Sequence, residues 1–282
     1  MLRTTLIVIG ASTALATTAA AQSPVSTRTG HDVRVSAGHY TYVEPGSLRI
    51  SIHGVRVGGE YTGTLALDRR RNWFALADVR GRAGRVAYDG WCRPWFIAPS
   101  SASVNGYRLG LGSASRCSET GDADGYLEAR ALVGKDVLTR AWGVSPETGI
   151  GVRYLSNGTT GVGGYRTDRY LYVPLGVAAR TSVASRHLVT LAVEYDMLLH
   201  GWQTTRESRL GGGEVPATPT APAFTIDGFT DLAFAQHRGW ALRARATYQV
   251  TDHWSIEPSY LYWNVGDSTV SQTTATFTVN GA

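Results

Sequence analysis

The chain has 282 residues, with 27 Lys and Arg against 22 Asp and Glu for a formal net charge of +5, and it is rich in Gly (33), Tyr (14) and Trp (8). Long Ala/Leu/Glu/Lys blocks are missing, which excludes a helical bundle and points to strands and turns. The basic residues are nearly all Arg, with Lys135 the one lysine, and they lie singly apart from Arg69-Arg70-Arg71, which excludes the continuous basic stripe of a nucleic-acid-binding surface.

The first element is an export signal. Met1-Leu2-Arg3 leads into an apolar core at Leu6-Ile7-Val8-Ile9 and ends on Ala19-Ala20-Ala21 before Gln22, so cleavage is expected after Ala21. Ser12, Thr13, Thr17 and Thr18 interrupt the run, which is therefore a removable signal and not a spanning helix of about 20 apolar residues. No later stretch approaches that apolar length, so the mature chain has no transmembrane helix. The expected organisation is a signal over 1–21, a periplasmic segment over 22–32, and one β-barrel over 33–282.

Period-two alternation marks the strands, because a barrel strand turns one set of side chains outward and the other into the lumen. In Leu188 to Trp202 the odd positions Val189, Leu191, Val193, Tyr195, Met197 and Leu199 oppose Thr190, Ala192, Glu194, Asp196 and His200. Trp240, Leu242, Ala244, Ala246 and Tyr248 likewise oppose Arg243, Arg245 and Thr247, and Trp73, Ala75, Ala77 and Val79 oppose Asp78, Arg80 and Arg82. Strands are predicted over 33–44, 53–67, 72–88, 125–137, 142–157, 169–180, 187–203, 236–249 and 254–267. Their connections alternate between short (68–71, 138–141, 181–186, 250–253) and mostly longer (45–52, 89–124, 158–168, 204–235, 268 onward), the asymmetry of periplasmic turns and surface loops, with the amino end in the periplasm. Nine is an odd count for a bacterial single-chain barrel, and Thr278-Val279-Asn280-Gly281-Ala282 is not a strand with a terminal aromatic residue. The expectation is ten strands with the last missing from this chain; the alternative is eight.

Aromatic girdles are expected from Trp73, Trp142, Tyr248 and Trp254 at the periplasmic ends and from Tyr88, Tyr126, Tyr154, Tyr172 and Tyr262 at the outer ends. Cys92 and Cys117 fall in one loop and, in an oxidising compartment, are expected to form a disulfide. The lumen is expected to hold a charge network of Glu60, Asp78, Arg80, Arg82, Glu128, Arg130, Arg153, Glu194, Asp196, Arg243, Arg245 and Glu257, with Arg56 on the same face. In a bore this narrow, such groups pair into a plug or line a selective path. Loop 89–124 is stiffened by Pro94 and Pro99 and carries Trp91, Trp95 and Phe96, as a recognition loop or as a lid over the mouth. Loop 204–235, with Gly211-Gly212-Gly213 and Pro216 to Pro222, reads as a mobile surface loop.

Gly149-Ile150-Gly151-Val152-Arg153-Tyr154-Leu155, Tyr170-Leu171-Tyr172-Val173-Pro174-Leu175-Gly176-Val177 and Glu194-Tyr195-Asp196 resemble recurring strands of small proteobacterial outer-membrane β-barrel proteins. The likeness runs loosely over 33–268, at the size of the omptin surface proteases, and implies a barrel class whose members include adhesins, channels and surface enzymes. The complete omptin catalytic set is missing. Asp122 and Asp124 have Asp-x-Asp spacing, yet no Asp-x-His couple follows, and Asp252-His253 falls at the opposite end. Gly121-Asp122-Ala123-Asp124-Gly125 reads instead as an acidic turn entering a strand.

His200 and His237 flank one loop without metal-ligand spacing. No catalytic residue, metal ligand or cofactor site is therefore assigned, since glycine-rich phosphate loops and haem-attachment pairs are also missing. The expected function is a non-enzymatic structural or surface-recognition barrel of the bacterial outer membrane, with a narrow solute channel as the alternative and an omptin-like hydrolase behind it. Expected partners are outer-membrane lipid and lipopolysaccharide, the barrel assembly machinery, and a surface ligand held by loops 89–124 and 204–235, with no nucleic acid.

Overall fold

Chains that alternate apolar and polar residues over fifteen or more positions have one ordered way to separate them, a sheet whose two faces meet different surroundings. A computed structural model describes residues 12–16, 27–44, 50–68, 70–92, 95–99, 107–111, 113, 115–139, 142–158, 165–184, 187–206, 208, 213–217, 222–251, 254–266 and 275–279. Among them every extended element is a β-strand, and none is an α-helix. The long strands are β1 (Gly30–Glu44), β2 (Ile50–Asp68), β3 (Trp73–Cys92), β4 (Ser115–Lys135), β5 (Gly143–Gly158), β6 (Tyr165–Ala184), β7 (His187–Arg206), β8 (Gly239–Gln249) and β9, which runs as Trp254–Ile256 and Ser259–Val265. β9 is interrupted at Glu257-Pro258, where proline has no N–H for the ladder, and Ala246 N donates to Pro258 O at 3.1 Å.

Each strand pairs antiparallel with the next, β1 with β2 through to β8 with β9. The ring returns to β1 through Ser12–Ala16, which pairs antiparallel with both Trp254–Ile256 and β1. The fold is thus an all-β antiparallel barrel, and its tenth position is held by a segment that the sequence reads as export signal. The apolar core of that signal and its cleavage point lie outside the described residues.

Every expected strand is present, with ends shifted by a few residues except in β4, which begins at Ser115, ten residues before the expected start. The short connections gather at one end of the barrel and the long ones at the other. At the short-turn end, Asp68 Oδ1 accepts from the backbone N–H of Arg70 at 2.9 Å and of Arg71 at 3.1 Å, and Asn72 takes φ 59°, a left-handed conformation that Asn tolerates.

The long connections are more structured than their composition suggests. β3 and β4 extend into 89–124 as far as Cys92 and Ser115, and Trp95–Pro99 pairs with Tyr107–Leu111 between them. Asp122 and Asp124 therefore lie inside β4 and not in a turn; Gly121, at φ 90°, marks a bulge where the register with β3 shifts. The segment 204–235 is not a bare loop either. Gly213–Val215, Phe224–Phe229 and the carboxy-proximal Ala275–Val279 form a three-stranded sheet that buries Phe224, Ile226 and Phe229, and Leu232–Gln236 pairs with the end of β7. Its neighbours Gly211, Gly212 and 218–221 lie outside the described residues.

The barrel inverts the usual layering. Val35, Val57, Val79, Leu127, Val152, Val177, Val193 and Leu242 are exposed on the outside, whereas Asp78, Glu128, Arg130, Arg153, Asp196 and Arg243 are buried inside. Trp73, Trp142, Tyr248 and Trp254 stand exposed at the short-turn ends as expected, and Tyr154 is exposed at the other. Tyr88, Tyr126 and Tyr172 correct the expected outer girdle, because their strand parity turns them into the lumen, where they are buried.

β2 and β3 approach closely at several glycines. A Cβ at Gly58 would stand 1.9 Å from the Gly81 carbonyl oxygen, and one at Gly84 would stand 2.0 Å from that of Val55. Such positions let a sheet curl tightly enough to close. Gly58→Ala is expected to lower stability by about 1–3 kcal/mol through overpacking, measured by urea unfolding of the detergent-refolded protein.

Candidate functional site

The lumen is the most highly organised part of the molecule, and register explains it. Along a line perpendicular to five consecutive strands, Arg34 stands opposite Glu60, Glu60 opposite Arg80, Arg80 opposite Glu128, and Glu128 opposite Arg153. One step along β3 and β4, Asp78 faces Arg130, and across the barrel Glu194 on β7 faces Arg243 on β8. Directly opposed opposite charges are favourable cross-strand partners. A closed barrel then aims all of them at one axis.

The central cluster holds four carboxylates (Asp78, Glu128, Glu194, Asp196) and four guanidinium groups (Arg80, Arg130, Arg153, Arg243), a formally neutral set. Glu128 is its hub. It pairs with Arg80 at 3.1 Å, with Arg153 at 3.3 Å and with Arg243, and it accepts a hydrogen bond from the Tyr172 hydroxyl. Arg130 forks between Asp78, at 2.7 Å, and Glu194, while Arg243 Nε reaches Glu194 at 2.9 Å and Asp196 at 2.8 Å. Planar five-donor guanidinium groups suit this bridging, which a lysine ammonium would not reproduce.

A second cluster lies toward the short-turn end. Arg34 pairs with Glu60 at 2.9 Å and approaches Glu257 at 3.8 Å, Arg245 approaches Glu60 at 3.7 Å, and Thr247 donates to Glu257 at 2.8 Å. These groups line a cavity of about 260 Å³. Thr27 crosses its lower end, where its hydroxyl donates to Asp136 at 2.9 Å and accepts from Arg180 at 2.8 Å; Arg180 also reaches Ser145 at 2.9 Å. Above the central cluster, Arg56 pairs with Asp124 and lies 3.4 Å over the Tyr40 ring, and Asn157 donates to Asp124 at 2.9 Å. Tyr40, Tyr42, Tyr170, Tyr172 and Trp263 complete an aromatic layer there.

The structure brings every expected member of the network into an ion pair except Arg82, which sits half-buried on the lumen face and joins none among the described residues. The sequence reading missed Arg34, Asp124, Asp136, Arg166, Asp168 and Arg180 as lumen groups. Arg34 was readable from its place between Val33 and Val35. Asp136, at the turn after β4, carried no alternation signal at all.

The remaining candidates fall apart or change face. Asp124 is engaged by Arg56 and Asn157, and among the described residues no histidine lines the lumen beside it. Asp252 and His253 lie outside the described residues. A bulge, where Leu171 pairs with His200 but Tyr172 with Leu198, reverses parity at the end of β7 and puts His200 on the outside. There it meets His237 with ring centroids 5.0 Å apart and Trp202 at 4.2 Å. No group of three His, Cys, Asp or Glu that could hold a metal occurs among the described residues.

Cys92 stands opposite Ser115 and Cys117 opposite Gly90, so the cysteines are diagonal neighbours on adjacent strands. The side chains of Trp91, Trp95 and Phe96 lie outside the described set. No family model matches this chain, and no curated protein is similar to it.

Glu128→Ala would leave Arg80, Arg153 and Arg243 sharing too few carboxylates in a buried site. The expected loss is about 3–5 kcal/mol of stability, read by denaturant titration, with a smaller loss for the double variant that also removes Arg243.

Proposed function

We propose that this protein is an exported outer-membrane β-barrel whose lumen is plugged by ion pairs and whose long-loop end serves surface recognition or structure, without a catalytic role. The observation that carries the reading is the inversion itself. A belt of exposed valine and leucine surrounds a buried neutral cluster of charges, an arrangement stable in lipid and costly in water. The signal-like amino end of the sequence and the resemblance of β5, β6 and β7 to small proteobacterial barrels support the same setting, and in the uncleaved chain part of that end, Ser12–Ala16, pairs with β1 and β9. In that setting the partners are outer-membrane lipid and lipopolysaccharide, the assembly machinery that inserts the barrel, and a ligand at the long-loop end.

The plug is favoured over a channel because the central cluster is almost fully buried, with Glu128 at 1% and Asp196 at 0% exposure. The 260 Å³ cavity below it favours the second reading, a narrow channel whose gate is that cluster. Planar-bilayer recording beside heat-modifiable gel mobility separates the two. The expected result is a heat-modifiable band with no steady conductance; discrete single-channel steps that change on Arg243→Ala would replace the plug with a channel.

The reading also includes a Cys92–Cys117 disulfide at the long-loop end, formed in the oxidising periplasm. Maleimide is expected to leave the purified protein unlabelled until it is reduced. The membrane setting has its own check. Val193→Arg, on the outer face at the level of the plug, is expected to cost about 2–4 kcal/mol in lipid vesicles, measured by urea unfolding.

A further inference from the structure

At the long-loop end of the lumen, above the ion-pair cluster, lies a cavity of about 40 Å³ walled by Tyr40, Tyr42, Tyr170 and Trp263. That space accommodates roughly three waters, or the hydroxyl-bearing edge of one sugar ring. Besides Arg166, whose Nε lies 3.6 Å from Asp168, three buried polar groups lining it each have one atom with no hydrogen-bond partner among the described residues: Trp263 Nε1, Gln236 Oε1 and Asp168 Oδ1. Their residues are 4%, 2% and 3% exposed. Buried polar atoms without a partner are costly, and three on the lining of one cavity suit it to a ligand that makes hydrogen bonds.

The chemistry of that complement is constrained. Trp263 offers a donor, whereas Gln236 and Asp168 offer acceptors, because Gln236 Nε2 is already given to Gln203 at 3.2 Å. A group that both donates and accepts is required, which describes hydroxyls. The walls are aromatic, with Tyr170 and Trp263 stacked at 5.4 Å, and aromatic faces suit the C–H face of a ring.

Charge narrows the choice further. Arg166 lies 3.6 Å from Asp168 and its guanidinium donates to the Tyr42 hydroxyl at 3.3 Å, while Arg153 is paired with Glu128 and sits over the Tyr126 and Trp263 rings. These guanidinium groups repel a cation, and the Asp168 and Glu128 carboxylates beside them offset their attraction for an anion. A neutral polyol fits.

We propose that this cavity binds the edge of a neutral hexose, with Trp263 donating to one hydroxyl and Gln236 and Asp168 accepting from others. The proposal rests on the long-loop end being the exposed, ligand-facing end of the barrel. The hexose comes either free or as the terminal unit of a surface glycan, since both present the same ring edge.

Isothermal titration of the refolded full chain with glucose, galactose and mannose, and with their methyl glycosides, tests it. Saturable binding of at least one hexose is expected. Asp168→Ala and Gln236→Leu should each weaken it about tenfold, the loss of one buried hydrogen bond, whereas His237→Ala on the outer face should leave it unchanged. Preference for the methyl glycoside identifies a glycan end, and preference for the reducing sugar a free hexose. Heat-modifiable mobility of each variant shows that the barrel is intact. A folded barrel that gives no saturable heat with any of these sugars overturns the site, as does binding that none of the cavity substitutions alters. Either failure leaves the plugged-barrel reading standing, since that one is judged by conductance.

Discussion

The buried carboxylate of Glu128, held by Arg80, Arg153, Arg243 and the Tyr172 hydroxyl, is the interaction around which the barrel is organised. Those partners come from four different strands, β3, β5, β8 and β6, and with Glu128 on β4 they tie half of the ring to one point. Each charge alone would be strongly disfavoured in so enclosed a space, and only the arrangement as a whole is neutral. The cluster therefore acts less as a source of stability than as a condition on register: slipping any strand by one residue would bring an apolar side chain into the centre and send a charge outward.

The other layers follow from that condition. Toward the short-turn end the ladder continues through Arg34, Glu60, Arg245 and Glu257, but less tightly, and a polar cavity remains. Toward the long-loop end, charge gives way to aromatic side chains, among which Arg56 and Arg153 lie over tyrosine rings. The lumen thus has a closed centre and two different ends, and polar atoms of Asp168, Gln236 and Trp263 that lack a hydrogen-bond partner among the described residues lie toward the long-loop end.

Much of this was legible in the residues. Alternation in β3, β7 and β8 assigned Asp78, Arg80, Glu194, Asp196, Arg243 and Arg245 to the inner face, and the alternation of short and long connections separated the two ends. Reading failed where the period broke. The bulge near Leu199 turned His200 outward, and the bulge at Gly121 lay inside what its composition presented as an acidic turn. Tyrosine misled in a different way: Tyr88, Tyr126 and Tyr172 suit a girdle by type and position along the strand, yet their parity makes them lumen residues. The small sheet built from Phe224–Phe229 and Ala275–Val279 joins segments distant in sequence, so local composition held no sign of it.

Strand alternation, the sharing of a face and the two signs of charge on the inner face are all readable along the chain, because they depend on neighbours two residues apart. Which arginine meets which carboxylate, the meeting of the cross-strand charge rows at Glu128, and the aromatic cavity above it emerge only once the strands are paired. Those depend on register between strands and on closure of the ring, which set distances between residues far apart in the chain.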